Sequence, residues 1–197
     1  EGPDGSGTTR HSQMLADTLR ANGVDAILTA EPTDGSIGKE IRSMLNGANM
    51  PPPDAVQLLF CADRAQHVNE LISPALEKGK VIICDRYALS TIVYGKTLGL
   101  DPEWLKEINS IFPKPDLTVI TLPPLEVCMD RVGRRESQDH FENEFFMRRI
   151  YEGYQTIKDP STIFVDTSGT KDDVAQTVYE LVSEHLTPIS RETIANI

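Results

Sequence analysis

Residues 80–97 read KVIICDRYALSTIVYGKT. Val81 to Cys84 form an uninterrupted apolar run whose first three residues are β-branched, the pattern of a strand buried on both faces rather than one. The polar tripeptide Asp85-Arg86-Tyr87 closes that run, and a helical pattern follows over 88–97. A buried strand with charge at its carboxyl end and a helix behind it is the repeating unit of an α/β sheet.

Outward from this unit the alternation continues. Strand-like runs occupy about 24–30 (VDAILTA), 80–84, 117–122 (LTVITL) and 162–166 (TIFVD). Helical patterns occupy about 8–22, 36–46, 53–78, 88–97, 102–111, 124–136, 139–157 and 170–186, with Pro, Gly or Asp near their ends. Strands that alternate with helices need crossover connections, which predicts a doubly wound α/β fold: a parallel sheet with helices on both faces. Ligands of such sheets bind beyond the carboxyl ends of the strands.

The chain of 197 residues suffices for one core, and 1–197 is expected to be a single domain. Its net charge of -11 argues against broad attachment to nucleic acid or to an anionic membrane, and no apolar run has the length of a membrane span. Cys61, Cys84 and Cys128 are odd in number, widely spaced and set among apolar residues, so they read as buried thiols in a reducing, cytoplasmic setting. Against the acidic background, Arg131, Arg134, Arg135, Arg148 and Arg149 collect positive charge in one short stretch, as a solvated helix face or as a reserve of cations.

Gly2-Pro3-Asp4-Gly5-Ser6-Gly7-Thr8-Thr9 fits G-x-x-x-x-G-K-[ST] except at the lysine, which is Thr8. Glycines let successive N–H groups converge on phosphate oxygens, and the helix that follows points its N-terminus at the same anion. Thr9 offers a hydroxyl to Mg²⁺ in this arrangement, while a glycine-rich turn that only caps a helix stays open as the plainer alternative. Arg10 is a poor substitute for the lysine, because two residues along a helix turn it by about 200° away from Thr8. The arginines at 131–135 are better placed candidates. Such a loop follows a strand, so several apolar residues are expected upstream of Glu1.

Asp85 and Arg86, at the end of a buried strand, suit phosphoryl chemistry: the carboxylate can hold Mg²⁺ directly or through water, and the guanidinium can grip a phosphate with two hydrogen bonds. A structural ion pair is the alternative. In the 53–78 helix, Leu58, Ala62, Ala65, Ile72 and Leu76 fall on one apolar face, and Phe60, Arg64 and His67 on the opposite side. Phe60 and Arg64 would stack on and hydrogen-bond a nucleobase, or Phe60 would pack in the core with Arg64 at the surface.

The segments EGPDGSGTT, EPTDGSIGKEIRSML, LLFCADRAQH, CDRYALSTIVY and RVGRRESQDHFE stand in the order and approximate spacing found in thymidylate kinases. The chain resembles that family over nearly its whole length, in its bacterial type with arginines in the lid. The resemblance implies a P-loop nucleoside-monophosphate kinase that moves the γ-phosphate of ATP to dTMP with Mg²⁺ as cofactor, and a homodimer. Gly2 to Thr9 would bind ATP, with Thr9 and Asp85 at the metal and the turn Thr167-Ser168-Gly169 facing adenine. For dTMP it implies Asp4 near the sugar and phosphate, Phe60 on thymine, Arg64 at its edge and Arg86 on the phosphate. Ser90, Thr91 and Tyr94 would line the sugar and base pocket, Tyr94 disfavouring a 2′-hydroxyl. Arg131, Arg134 and Arg135, in a lid at about 131–142, would act with Asp85 and Arg86 on the transferring group.

Besides Thr8, the sequence departs from the family's pattern at Ala30, before Glu31-Pro32, and at His140, where arginines are usual. Arg42, Arg134 and Arg135 are candidate compensations. With three cations missing, two other readings stay open: a catalytically weakened nucleotide-binding regulatory protein of the same fold, and a kinase for another (deoxy)nucleotide.

Overall fold

The computed structural model describes residues 1–47, 50–134 and 143–194, with side chains described as far as residue 186. Helix α1 (Thr8–Ala21) leaves the glycine-rich loop and leads to β1 (Ala26–Ala30), α2 (Ser36–Asn46) and α3 (Pro53–His67). Helix α3 continues through a π-helical stretch, Val68–Ile72, into a last turn, α4 (Ser73–Leu76). The single helix expected over 53–78 is thus a three-part helical path. Pro74 supplies the reason: it has no N–H for the Glu70 carbonyl and its ring crowds that turn, so the helix widens just before it.

The chain then forms β2 (Val81–Asp85), α5 (Ala88–Thr97), α6 (Pro102–Asn109), β3 (Thr118–Thr121), α7 (Leu125–Gly133), α8 (Glu144–Gln155), β4 (Thr162–Val165) and α9 (Lys171–Ile194). Helix α6 begins as its sequence dictates, with Pro102 in its first turn and the Asp101 carboxylate accepting the Glu103 N–H at 3.0 Å. Each of the four expected strands forms, its ends within two residues of those expected; β2 begins one residue later and runs one further, to Asp85.

The strands pair in parallel, β1 with β2 from Ala26 opposite Val81 to Ala30 opposite Asp85, and β3 with β4 from Thr118 opposite Thr162 to Thr121 opposite Val165. Where the sequence predicts one sheet, hydrogen bonding among the described residues makes two two-stranded sheets, because β2 and β3 are not ladder partners. Glu1 lies alongside β3. Its amino group donates to the Val119 carbonyl at 2.9 Å and its carbonyl accepts the Thr121 N–H at 2.9 Å, the spacing of a parallel bridge to Ile120.

Alternation along the strands sends successive side chains to opposite faces. Val81, Ile83, Val119 and Ile163 join a core with Leu15 and Leu19 of α1 and Val174 and Val178 of α9. On the other face, Ile82 and Cys84 pack with Cys61, Val68, Ile72, Tyr87 and Phe112, while Ile120 packs with Val93, Ile150 and Tyr154. Strands β1 and β2 thus have helices against both faces, whereas Phe164 of β4 stays 44% exposed. The cysteines are free thiols; Cys61 and Cys128 are buried and Cys84 is half-buried. No described helix is long and apolar enough to cross a membrane.

The turn between β1 and α2 approaches α2 at Gly38, where a Cβ would lie 2.0 Å from the Thr33 carbonyl oxygen and 2.6 Å from its nitrogen. Backbone cannot yield as a side chain can, so Gly38→Ala is expected to destabilise the protein by about 1–3 kcal/mol. Equilibrium urea unfolding would show this as a lower midpoint at unchanged slope; an unchanged midpoint would contradict the packing.

Candidate functional site

The glycine-rich loop is fastened from below through its carbonyl groups. The Ser6 N–H closes a turn on the Pro3 carbonyl (3.1 Å), the Thr167 hydroxyl donates to the Ser6 carbonyl (2.6 Å), and Arg131 donates to the Gly5 carbonyl (3.2 Å). Ser6 is fully buried, with its hydroxyl 2.7 Å from that of Thr121. Gly5 and Gly7 have φ of 78° and 94°, and a Cβ on Gly5 would lie 2.4 Å from the Cys128 carbonyl oxygen. With these carbonyls engaged and α1 starting at Thr8 without a side-chain cap, the first-turn N–H groups of that helix suit an anion.

Thr8 is half-buried at the head of α1, and Arg10 is exposed. The Thr9 hydroxyl donates to Asp85 Oδ2 at 2.6 Å. Asp85 Oδ1 is buried and has no hydrogen-bond partner among the described residues. A carboxylate oxygen in that state fits a hard cation, so Thr9 and Asp85 suit Mg²⁺ as oxygen ligands, directly or through water.

Next along the chain, Arg86 has a φ of 67°, a left-handed conformation uncommon for a residue with a side chain and typical of functional sites. Its guanidinium donates to Asp4 Oδ1 (2.6 Å), to the Gly2 carbonyl (2.8 Å), and to the hydroxyls of Tyr94 (3.2 Å) and Ser90 (3.3 Å). Tyr94 donates in turn to Asp4 Oδ2 at 2.8 Å. Asp4, Arg86 and Tyr94 thus form a closed triangle between the phosphate loop and α5. Burial works against the charge on Arg86, but Tyr94, Asp4 and their neighbours outweigh it and hold its pKa well above the ordinary value.

Arg64 is 1% exposed, so the surface alternative for it is wrong. Its Nε donates to Glu31 Oε2 at 2.9 Å, Nη2 donates to the Thr91 hydroxyl at 2.9 Å, and Nη1 donates to Asn109 Oδ1. The rings of Tyr87 and Phe112 lie 4.8 and 5.6 Å from its guanidinium carbon. His67 Nδ1 meets the other Glu31 oxygen at 2.9 Å, and its Nε2 meets the Thr29 hydroxyl at 2.7 Å. The α3 face that carries Phe60, Arg64 and His67 therefore faces inward. On the predicted apolar face Ile72 is buried, whereas Ala62 is exposed and Leu58 and Leu76 are 51% and 45% exposed.

One cavity of about 220 Å³ brings these groups together, lined by Asp4, Phe60, Arg64, Arg86, Ser90, Thr91 and Tyr94 with Glu31, Arg42, Gln57 and others. Arg42 is anchored to the carbonyls of Pro32 and Thr33 and to Asp34 Oδ1 (2.6 Å). Ala30, at the end of β1, is exposed.

The basic cluster is less united. Arg131 sits at the loop, also donating to the Thr167 carbonyl at 2.8 Å, whereas Arg134 is exposed and paired with Asp130 at 2.7 Å. Arg135 and the rest of the 135–142 segment, His140 included, lie outside the described residues.

Sequence reasoning passed over several groups that the structure makes central. Glu1 caps α5 from afar: its carboxylate accepts the N–H of Tyr87 (2.8 Å) and of Ser90 (3.4 Å), and the hydroxyls of Ser90 and Tyr154. Glu31 was visible only as a landmark before Pro32. Asn109 stands 45 residues from Arg64, and no local pattern marks it.

The sequence profile of the family described as "Thymidylate kinase" matches residues 1–178. A "Probable thymidylate kinase" of Pyrococcus horikoshii is 35% identical over 195 residues, covering 94% of this chain and 95% of the relative. Thymidylate kinases of Desulfotalea psychrophila (35% identical, 94% and 93% covered) and Exiguobacterium sibiricum (36%, 97% and 94%) are similar to a like extent.

Both partners of the Arg64–Glu31 pair are almost wholly buried, their side chains 1% and 2% exposed, so removing one leaves an uncompensated charge in the interior. Glu31→Ala is expected to cost about 3–5 kcal/mol in chemical unfolding. A loss below about 1 kcal/mol, the scale of an exposed pair, would show that Arg64 does not depend on it.

Proposed function

The chain belongs to the thymidylate kinase family, and from that premise we propose that it transfers the γ-phosphoryl group of ATP to dTMP, giving ADP and dTDP. The family has the P-loop nucleoside-monophosphate kinase fold, and the mixed order of helices and parallel strands agrees with it. The convergence of Asp4, Phe60, Arg64, Arg86, Ser90, Thr91 and Tyr94 on one cavity carries the assignment.

In this reading the cavity takes dTMP. Phe60 stacks on thymine, Arg64 and Thr91 meet its polar edge, and Tyr94 closes the space a 2′-hydroxyl would need. Arg86 holds the acceptor phosphate, with Asp4 fixing the guanidinium from the loop side. Phosphoryl transfer asks the protein mainly for positioning and for charge opposite the equatorial oxygens. The triangle of Asp4, Arg86 and Tyr94 supports this, because it ties the donor loop to the acceptor helix through three hydrogen-bonded side chains. Gly2, Pro3, Asp4, Gly5, Ser6, Gly7, Thr8 and Thr9 cradle the ATP phosphates, and Thr9 and Asp85 would hold Mg²⁺, which would neutralise phosphate charge.

Positive charge at the transferred group is the weak point. Arg131 is spent on the Gly5 and Thr167 carbonyls. Among the described residues, Arg134 is held by an exposed pair with Asp130. Such a pair is worth about 1 kcal/mol or less, so Arg134 can turn to a phosphate at little cost. A homodimer would use the outer face of α3 and α4, a choice supported by exposed Leu58 and Leu76.

A coupled assay with ATP, Mg²⁺ and a panel of nucleoside monophosphates tests the assignment. Turnover is expected to be fastest on dTMP and to vanish with chelator; faster turnover on AMP, CMP or GMP would refute the acceptor. Thr8 favours one other outcome, a nucleotide-binding protein with little catalysis, recognised if dTMP raises the melting temperature while no donor yields dTDP. Thr8→Lys restores the charge that the loop lacks and is expected to raise kcat by at least about tenfold; an unchanged kcat would mean that another cation already serves. Arg86→Ala is expected to weaken dTMP binding far more than thymidine binding in calorimetry, and equal losses would exclude the phosphate clamp.

A further inference from the structure

Gln57 lies in α3 seven residues before Arg64, two turns away on the same face, and both line the acceptor cavity. It is 1% exposed, yet its amide oxygen has no hydrogen-bond partner among the described residues. A buried polar atom left unpaired is costly, and folded proteins leave few of them. An apolar side chain of similar size would fill the volume without that cost, so the amide needs another explanation than packing.

Its surroundings hold it in place without satisfying it. Gly95 of α5 lies opposite, where a Cβ would stand 3.3 Å from Gln57 Cδ and 2.7 and 2.9 Å from the two methyl carbons of Leu105. The amide is wedged between α3 and α5, the two helices that also carry Phe60, Arg64, Ser90, Thr91 and Tyr94. A primary amide presents an acceptor and two donors in one plane. That pattern complements an imide edge, in which an N–H sits beside a carbonyl, as in the thymine ring.

We propose that Gln57 is a specificity-determining residue of the acceptor site, its side-chain amide hydrogen-bonding the polar edge of the acceptor nucleobase. The inference rests on the dTMP reading above for the identity of that base. Arg64, with Glu31, Asn109 and Thr91 already on its donors, is thereby relieved of reading the base alone. A site that hydrogen-bonds a substrate discriminates strongly against ligands that leave its buried groups unpaired.

Calorimetric binding of dTMP and dCMP to the full-length wild type, Gln57→Leu and Gln57→Met, with thermal unfolding of each free protein, tests this. Both variants are expected to bind dTMP about tenfold more weakly, with a narrowed preference for dTMP over dCMP. Their melting temperatures are expected to match or exceed the wild type's, because the unpaired oxygen is gone. If Gln57→Leu does not fold, Gln57→Met keeps the unbranched shape and carries the comparison. A dTMP affinity within twofold of wild type in the folded variants overturns the proposal and leaves Gln57 a buried amide met by water. A wild type that binds dCMP as well as dTMP would instead refute the dTMP reading itself.

Discussion

The hydrogen bonds of Arg86 to Asp4 and Gly2 are the join on which the site depends. They reach from the end of β2 to the phosphate loop, 82 and 84 residues away along the chain. The geometry requires a left-handed backbone at Arg86, a strain of about 1–3 kcal/mol that persists only where surrounding contacts over-determine it. Here they do: the same side chain also meets Ser90 and Tyr94, and the Glu1 carboxylate holds the N–H of Tyr87, the next residue. Glycine-rich loop, strand end and α5 become one unit, a rigidity that suits phosphoryl transfer when it is accelerated mainly by placement.

Behind that unit stands a second, wholly buried group of charges. Glu31 bridges Arg64 and His67, while Thr91, Asn109 and the rings of Tyr87 and Phe112 complete the shell around Arg64. An ion pair in the interior loses hydration that its mutual attraction only partly returns, so it endures only when the remaining donors and acceptors are met. The arrangement stabilises less than it orients. It presents one edge of the cavity in a single geometry, built from the residue after β1 and from α3, α5 and α6.

Much of this was legible in the chain. The four strands and the order of the helices follow from β-branched runs and from the 3.6-residue period, both local properties. The glycine-rich loop at the head of α1 was legible from the spacing of its glycines. Two features of the long helix lay beyond what periodicity can carry. Pro74 widens it into a π-helical stretch. Its polar face turns inward while Leu58 and Leu76 stay partly in solvent, because a buried arginine needs partners from other elements that its own helix does not reveal.

The amino-acid sequence by itself determined where strands, helices and the phosphate loop lie, since steric preference and hydrophobic period act over a few residues. It also determined membership in the family, because five ordered segments carry it. Only the tertiary structure decided which polar groups meet. Glu1 finds Ser90, Glu31 finds Arg64, and Arg131 finds Gly5 and Thr167; Gln57 lines the cavity with its oxygen unpaired among the described residues. Such encounters join residues tens of positions apart, and their energies depend on burial, which no stretch of sequence contains.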